Sequence, residues 1–261
     1  MNREPEFDSG DKALTDQNFW NEKWESDNGS VIDLQKLGYR QKELINYIKQ
    51  LRFNQNRRIL EIGVGPGVKL YELAGSLDLE PWGLDFSETA CQLARQNALA
   101  NGIAAVIIRG NIFSPPFSPG GFGITLSQGV IEHFVNPLEI LRQCSELVAP
   151  GGYLITTIPN IAGFCGLLVK SIDPDNFKKH IVINLTDLRF MYAELKLEVV
   201  FSGPLGGFYI PYYPKVKSSI IWFFLGIIRK MLPLLLDRLN FTSEYFSPEL
   251  LIIGEKVSNG Y

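Results

Sequence analysis

Ile59-Leu-Glu-Ile-Gly-Val-Gly-Pro-Gly-Val68 sets an apolar run and one acidic residue, Glu61, ahead of glycines at 63, 65 and 67. An apolar strand that ends in a Gly-rich turn and feeds a helix lets backbone approach a ligand where side chains would block it, and the helix start adds free N–H groups. Similar apolar runs recur at 80–86, 104–108, 122–127 and 149–155, separated by helix-like stretches such as 88–100 and 137–148. Strands that alternate with helices need crossover connections, so the expected fold is α/β with a parallel sheet. The second strand ends in Asp85, 22 residues after Gly63. An acidic group at that tip, beside the turn, is placed to accept both hydroxyls of a ribose. Ser87 is the better N-cap for the helix that follows, which leaves Asp85 free for a ligand.

The dinucleotide fingerprint G-x-G-x-x-G wants its third glycine three residues after the second. Val68 stands there, and the third glycine comes one residue early. The order E-x-G-x-G-x-G instead resembles motif I of the class I S-adenosylmethionine (SAM) dependent methyltransferases. Four further stretches agree in order: Asp85; Arg109-Gly-Asn-Ile-Phe113; Gln128-Gly-Val-Ile-Glu-His-Phe134; and Ala149-Pro-Gly-Gly-Tyr-Leu-Ile155. The resemblance covers roughly residues 40 to 203 and the last strand near 250, and is closest to the small-molecule branch (types 11 and 12, UbiG-like). It implies a Rossmann-like, seven-stranded, mostly parallel sheet with its last strand antiparallel and helices on both faces. It also implies a SAM site built from Glu61, Gly63, Gly65, Gly67, Asp85, Phe86, Asn111, Ile112 and Gln128. Asn111 departs from the Asp often found there but keeps an acceptor for the adenine amino group, and Ile112 would pack on the ring. Glu61 either meets the amino end of SAM or only orients the turn.

Composition narrows the function further. The chain has 261 residues, is 46% hydrophobic, carries a net charge of −3 and has a pI near 5.6. It is long enough for one α/β domain with appendages, and it has no global basic field for a phosphate backbone, so no nucleic-acid partner is expected. Cys91, Cys144 and Cys165 are widely spaced, and the polar N-terminus shows no signal peptide. They read as reduced thiols of a cytoplasmic protein, with no CxxC pair or metal-ligand set among them and the two histidines. Rival methyltransferase chemistries fail by their residues. There is no Asp- or Asn-Pro-Pro-aromatic run after the fourth strand, no Pro-Cys pair, no second Glu to clamp a guanidinium, and no acid at the end of that strand for magnesium. A metal-free transfer to a small-molecule acceptor, O-methylation slightly favoured over N- or C-methylation, is the expected activity. An aminopropyl transferase and an inactive SAM-binding partner subunit stand as alternatives.

Organisation follows from period and punctuation. Residues 1–54 are expected to form an N-terminal helical lid, 55–203 the SAM-binding core, 204–249 a helical insertion, and 250–261 the last core strand and tail. In the lid, Phe19, Trp20 and Trp24 recur at helical spacing after Asp16 or Thr15. The insertion is longer than a hairpin needs and holds nine uncharged residues at 220–228, too few to cross a bilayer. Burial on the core, a substrate cap, a chain-to-chain interface and peripheral membrane contact are its open readings, the last not favoured. Oligomeric state is not legible. Trp20, Tyr209 and Tyr212 are the candidate acceptor contacts, for an acceptor that is small and apolar. Removal of a proton from a hydroxyl acceptor points to histidine, and the chain has only His133 and His180.

Overall fold

The computed structural model describes residues 13–26, 39–52, 55–207 and 242–257. Seven strands, β1 (Arg58–Ile62), β2 (Glu80–Asp85), β3 (Val106–Arg109), β4 (Phe122–Gln128), β5 (Val148–Pro159), β6 (Glu198–Leu205) and β7 (Glu249–Glu255), form one sheet in the order β3-β2-β1-β4-β5-β7-β6. β1 to β5 pair in parallel, and β7 runs antiparallel between β5 and β6. The expected sheet, with its last strand antiparallel, is the one found.

Both faces are covered because successive strand residues point to opposite sides and both sets are apolar. Leu60, Leu154, Leu250 and Ile252 join one core with Ile140, Leu141 and Cys144 of α5 (Pro137–Leu147) and Leu188 and Tyr192 of α8 (Leu185–Glu194). Their chain neighbours Ile59, Tyr153, Ile155, Leu251 and Ile253 join a second core with Leu44, Ile45 and Ile48 of α2 (Tyr39–Lys49), Leu70 and Tyr71 of α3 (Val68–Leu77), and Cys91 and Ala94 of α4 (Glu88–Ala100). α2 thus buries its apolar face in the body of the domain, which leaves α1 (Gln17–Ser26) as the element over the site.

Local chemistry sets the ends. Ser87 Oγ accepts the Ala90 N–H to cap α4, as its position predicts. α8 has two candidate caps in Asn184 and Thr186, and it is capped by Asn184, in a reciprocal box with Asp187. Two polar residues two positions apart both suit a cap, and only Asn184 has a partner three residues on that returns the bond. α6 (Phe164–Ile172) and the short α7 (Pro174–Phe177) were not foreseen. They run between β5 and α8, where Asn160 Nδ2 donates to Glu244 O (2.7 Å) and Ser247 O (2.9 Å) and pins the returning chain against the end of β5. The sheet order reverses between β1 and β4, so the connections diverge there and open a crevice at the strands' carboxyl ends.

Candidate active site

That crevice holds a cavity of about 550 Å³. Its floor is the turn after β1. Gly63 N–H donates to Leu84 O (2.8 Å), which ties the turn to β2, and Gly67 N–H donates to Val64 O (2.9 Å). Gly65 and Gly67 both have positive φ, at 50° and 79°, a region that L side chains rarely adopt. The turn closes onto Asp85. Its Oδ2 accepts the Gly65 N–H at 3.0 Å and its Oδ1 the Ser87 N–H at 2.9 Å. The carboxylate is therefore clamped at the cavity wall with lone pairs to spare. Burial pushes its pKa up to about 6, against the backbone N–H bonds, which lower it.

Most residues singled out in the sequence meet here. Glu61, Gly63, Gly65, Asp85, Phe86, Asn111, Ile112, Gln128, His133, His180 and Trp20 all line the cavity. Gly67 shapes the turn from behind, where a Cβ would stand 2.5 Å from the Tyr71 ring. Asn111 Oδ1 accepts the Phe113 N–H at 3.0 Å, so it makes the local turn as well as facing the cavity. Tyr209, Tyr212 and the insertion around them lie outside the described residues.

Helix α1 roofs the floor. Asp16 caps it through the Phe19 N–H (2.7 Å), and the Trp20 indole N–H donates to Thr15 Oγ (2.9 Å). Gln17 Nε2 donates to Phe86 O, and Ser87 Oγ donates to Asn21 Oδ1 at 2.6 Å. Trp24 lies against Gly65 closely enough that a Cβ there would stand 2.9 Å from the indole. The Lys23 ammonium sits over the rings of Trp20 (4.5 Å) and Trp24 (5.5 Å).

At the other end stand the two histidines, with ring centroids 4.5 Å apart. Each commits Nδ1 to a carbonyl at 2.8 Å, His133 to Lys179 O and His180 to Asn176 O. Carbonyls only accept, so Nδ1 carries the proton in both. Trp20 meets His133 edge-on at 5.1 Å. Burial, and then His180 beside it, pushes the His133 pKa down to about 4, and burial lowers His180 as well. Both rings are neutral at physiological pH.

Sequence reasoning passed over Glu132, Lys69 and Lys23, which also line the cavity. Glu61 and Glu132 are fully withdrawn from solvent, burial pushes both up to about 8, and Lys69 opposes the shift in each. One oxygen of each, and Gln128 Nε2, has no hydrogen-bond partner. Buried polar atoms seldom stay unpaired without a ligand to meet them. The only hint in the sequence was an acidic residue beside a histidine just after an apolar strand. Among the described residues, no group of three His, Cys, Asp or Glu is placed to hold a metal.

These carboxyls make stability depend on pH. Folded Glu61 and Glu132 keep their protons to about pH 8 against 4.5 when unfolded, so the folded chain binds more protons in that window and loses stability as pH rises through it. His133, at about 4 folded and 6.5 unfolded, acts in reverse and costs stability as pH falls from 6.5 to 4. The melting temperature of the ligand-free protein is expected to fall by several degrees from pH 6.5 to 8.5, where the two glutamates act alone, given about 2–4 °C per kcal/mol for a chain of this size. Glu61→Gln should flatten the fall. A melting temperature that climbs from pH 6.5 to 8.5 contradicts the assignment.

The fold, the acidic strand tip and the glycine turn are those that the resemblance to class I SAM-dependent methyltransferases implies. Residues 60–156 match the family model described as a methyltransferase domain. The chain is similar to ubiquinone biosynthesis O-methyltransferases of Proteus mirabilis, 27% identical over 118 residues (44% of this chain, 48% of that protein), and Vibrio cholerae, 27% over 105 residues (40% and 42%). It thus spans about half the length, or less, of these relatives. Among solved structures it resembles a SAM-dependent methyltransferase from Thermotoga maritima, with TM-score 0.57, 18% identity, and 92% of this chain and 97% of that one covered. It also resembles phosphoethanolamine N-methyltransferase 2 of Haemonchus contortus in complex with SAM, with TM-score 0.60, 16% identity, and 85% and 53% covered. At such identities the likeness to these structures is one of fold. By fold the chain resembles SAM-dependent methyltransferases, and its residues 60–156 match a methyltransferase domain.

Proposed function

We propose that this protein transfers a methyl group from SAM to a small-molecule acceptor, most readily at oxygen. The observation that carries the reading is Asp85, clamped at the tip of β2 by the Gly65 and Ser87 N–H groups and facing a cavity of about 550 Å³, a size in the range of ligand sites. In this reading Asp85 holds the ribose, Asn111 and Ile112 the adenine, and Glu61 with the glycine turn the amino-acid end of SAM. Phe86 and Gln128 complete that site. The acceptor then occupies the end walled by His133, His180 and Trp20, under α1 as lid. Methyl transfer from a sulfonium is an in-line displacement that asks chiefly for alignment, and a water-poor aromatic wall suits it. The ubiquinone pathway role of the Proteus and Vibrio relatives supports an oxygen acceptor. Three free, buried cysteines support a cytoplasmic location. No helix among the described residues is long and apolar enough to cross a membrane.

Two measurements test this. Calorimetric titration should detect binding of SAM and of its demethylated product but not of NAD, and label from methyl-labelled SAM should pass to a small molecule. The low pKa of His133 makes it a weak base. His133→Asn and His180→Asn are therefore expected to lower kcat by less than the ~10²–10⁴ that a lost general base costs, with SAM affinity intact and the pH profile unmoved. A larger fall, with loss of one limb of the pH profile, assigns the base to that histidine.

A further inference from the structure

Glu132 stands in the 3-10 turn Ile131–His133 that follows β4, fully buried, on the cavity wall. One oxygen, Oε1, lies 4.0 Å from Nε2 of His133. The other, Oε2, has no hydrogen-bond partner, and neither has Gln128 Nε2 on the same wall. A buried carboxyl oxygen without a partner is costly, and a ligand group that donates to it removes the cost. His133 offers Nε2 as an acceptor, since its Nδ1–H is given to Lys179 O, but burial makes it a weak base, with its pKa pushed down to about 4. Charged groups reach Glu132 from several elements. Lys69 on α3 and Lys23 on α1 favour its ionisation, Glu249 on β7 opposes it, and burial outweighs them all.

We propose that Glu132 is the proton acceptor of the transfer, ionised by the sulfonium of incoming SAM and then protonated at Oε2 by the hydroxyl of the acceptor. This rests on the methyl-transfer reading above. As SAM enters, its positive charge displaces the Glu132 proton to water. In the transfer the S–CH3 bond breaks while the O–CH3 bond forms, and sulfur keeps the electron pair. The hydroxyl proton passes to Oε2. Sulfonium, carboxylate and alcohol become thioether, carboxylic acid and ether, so charge and atoms balance. The step ends with Glu132 protonated, the form that burial favours. The acceptor class follows: a hydroxyl compound that arrives with its proton on, since a carboxylate acceptor has no proton to give.

The test is the proton inventory of SAM binding by the full chain, from calorimetry at pH 7 in buffers of different ionisation enthalpy. Wild type is expected to release about one proton more than Glu132→Gln. Glutamine mimics the protonated acid, so this variant keeps the fold of the empty state. Glu132→Asp, which retains a carboxyl, should still release the proton, and His133→Asn should release as many as wild type. S-adenosylhomocysteine has no sulfonium, so it should release fewer protons than SAM from wild type, and this gap should close in Glu132→Gln. Undiminished release from Glu132→Gln, or loss of the extra proton in His133→Asn, overturns the proposal. Failure of wild type to bind SAM at all overturns the methyl-transfer reading instead.

Discussion

Asp85→Ala is expected to weaken SAM binding by ~10²-fold or more while the domain stays folded. A ribose diol held by a carboxylate makes two charge-assisted hydrogen bonds, each worth roughly 1.5–3 kcal/mol, and alanine removes both. It also strips the Gly65 and Ser87 N–H groups of their acceptor, so part of the loss is indirect. Asp85→Asn separates the parts, because an amide oxygen still accepts from one backbone N–H but carries no charge. Its affinity should fall between wild type and Asp85→Ala. A second signature comes from pH. With the carboxyl pushed up to about 6 by burial, wild-type affinity should decline more steeply below that value than the affinity of Asp85→Asn does. Calorimetric titration reads all three, with a thermal melt to verify folding. Equal affinity for wild type and Asp85→Ala would remove Asp85 from the cofactor site.

Asp85 was legible because motif spacing and topology fix it. A strand must end before the chain can turn, and the second strand of a parallel sheet lies beside the first. The same holds for the glycine turn, for Ser87 as a cap and for the antiparallel last strand. What escaped depends on three-dimensional surroundings. α6 is apolar along most of its length, and α7 is four residues long, so neither offers a clear two-faced period. The protonation of Glu132 and His133 is set mainly by how much protein covers them, and coverage is not written in a local pattern. Sequence logic therefore chose histidine for its ordinary pKa, and burial moved that pKa away. The aromatic period of α1 was visible, but its target, the Gly65 backbone, emerged only once the helix was seen roofing the turn.

That roof makes the two inner glycines differ in a measurable way. Alanine at either must hold a positive φ, which costs about 1–2 kcal/mol, but its methyl meets different partners. At Gly67 the methyl lands 2.5 Å from the Tyr71 ring. Tyr71 is buried, and its hydroxyl donates to Ala94 O at 2.8 Å, joining α3 to α4. The ring cannot retreat without breaking that bond and disturbing the core beneath. Gly67→Ala is therefore expected to lower global stability by ~3 kcal/mol or more, adding strain to overpacking, and to abolish SAM binding with it. At Gly65 the methyl stands 2.9 Å from Trp24, which is only partly buried on a surface helix. That helix is free to shift outward, so Gly65→Ala should cost little beyond the backbone strain. Its effect should fall on the site, where α1 rides up and the turn's N–H to Asp85 is misaligned. The expected pattern is a large drop in melting temperature for Gly67→Ala, and a small drop with at least tenfold weaker SAM binding for Gly65→Ala. Trp24→Ala, which clears space for the new methyl, should recover part of the Gly65→Ala stability loss and none of the Gly67→Ala loss. Equal stability losses in the two glycine variants would mean that α1 is as firmly seated as the core, and that it does not act as a lid.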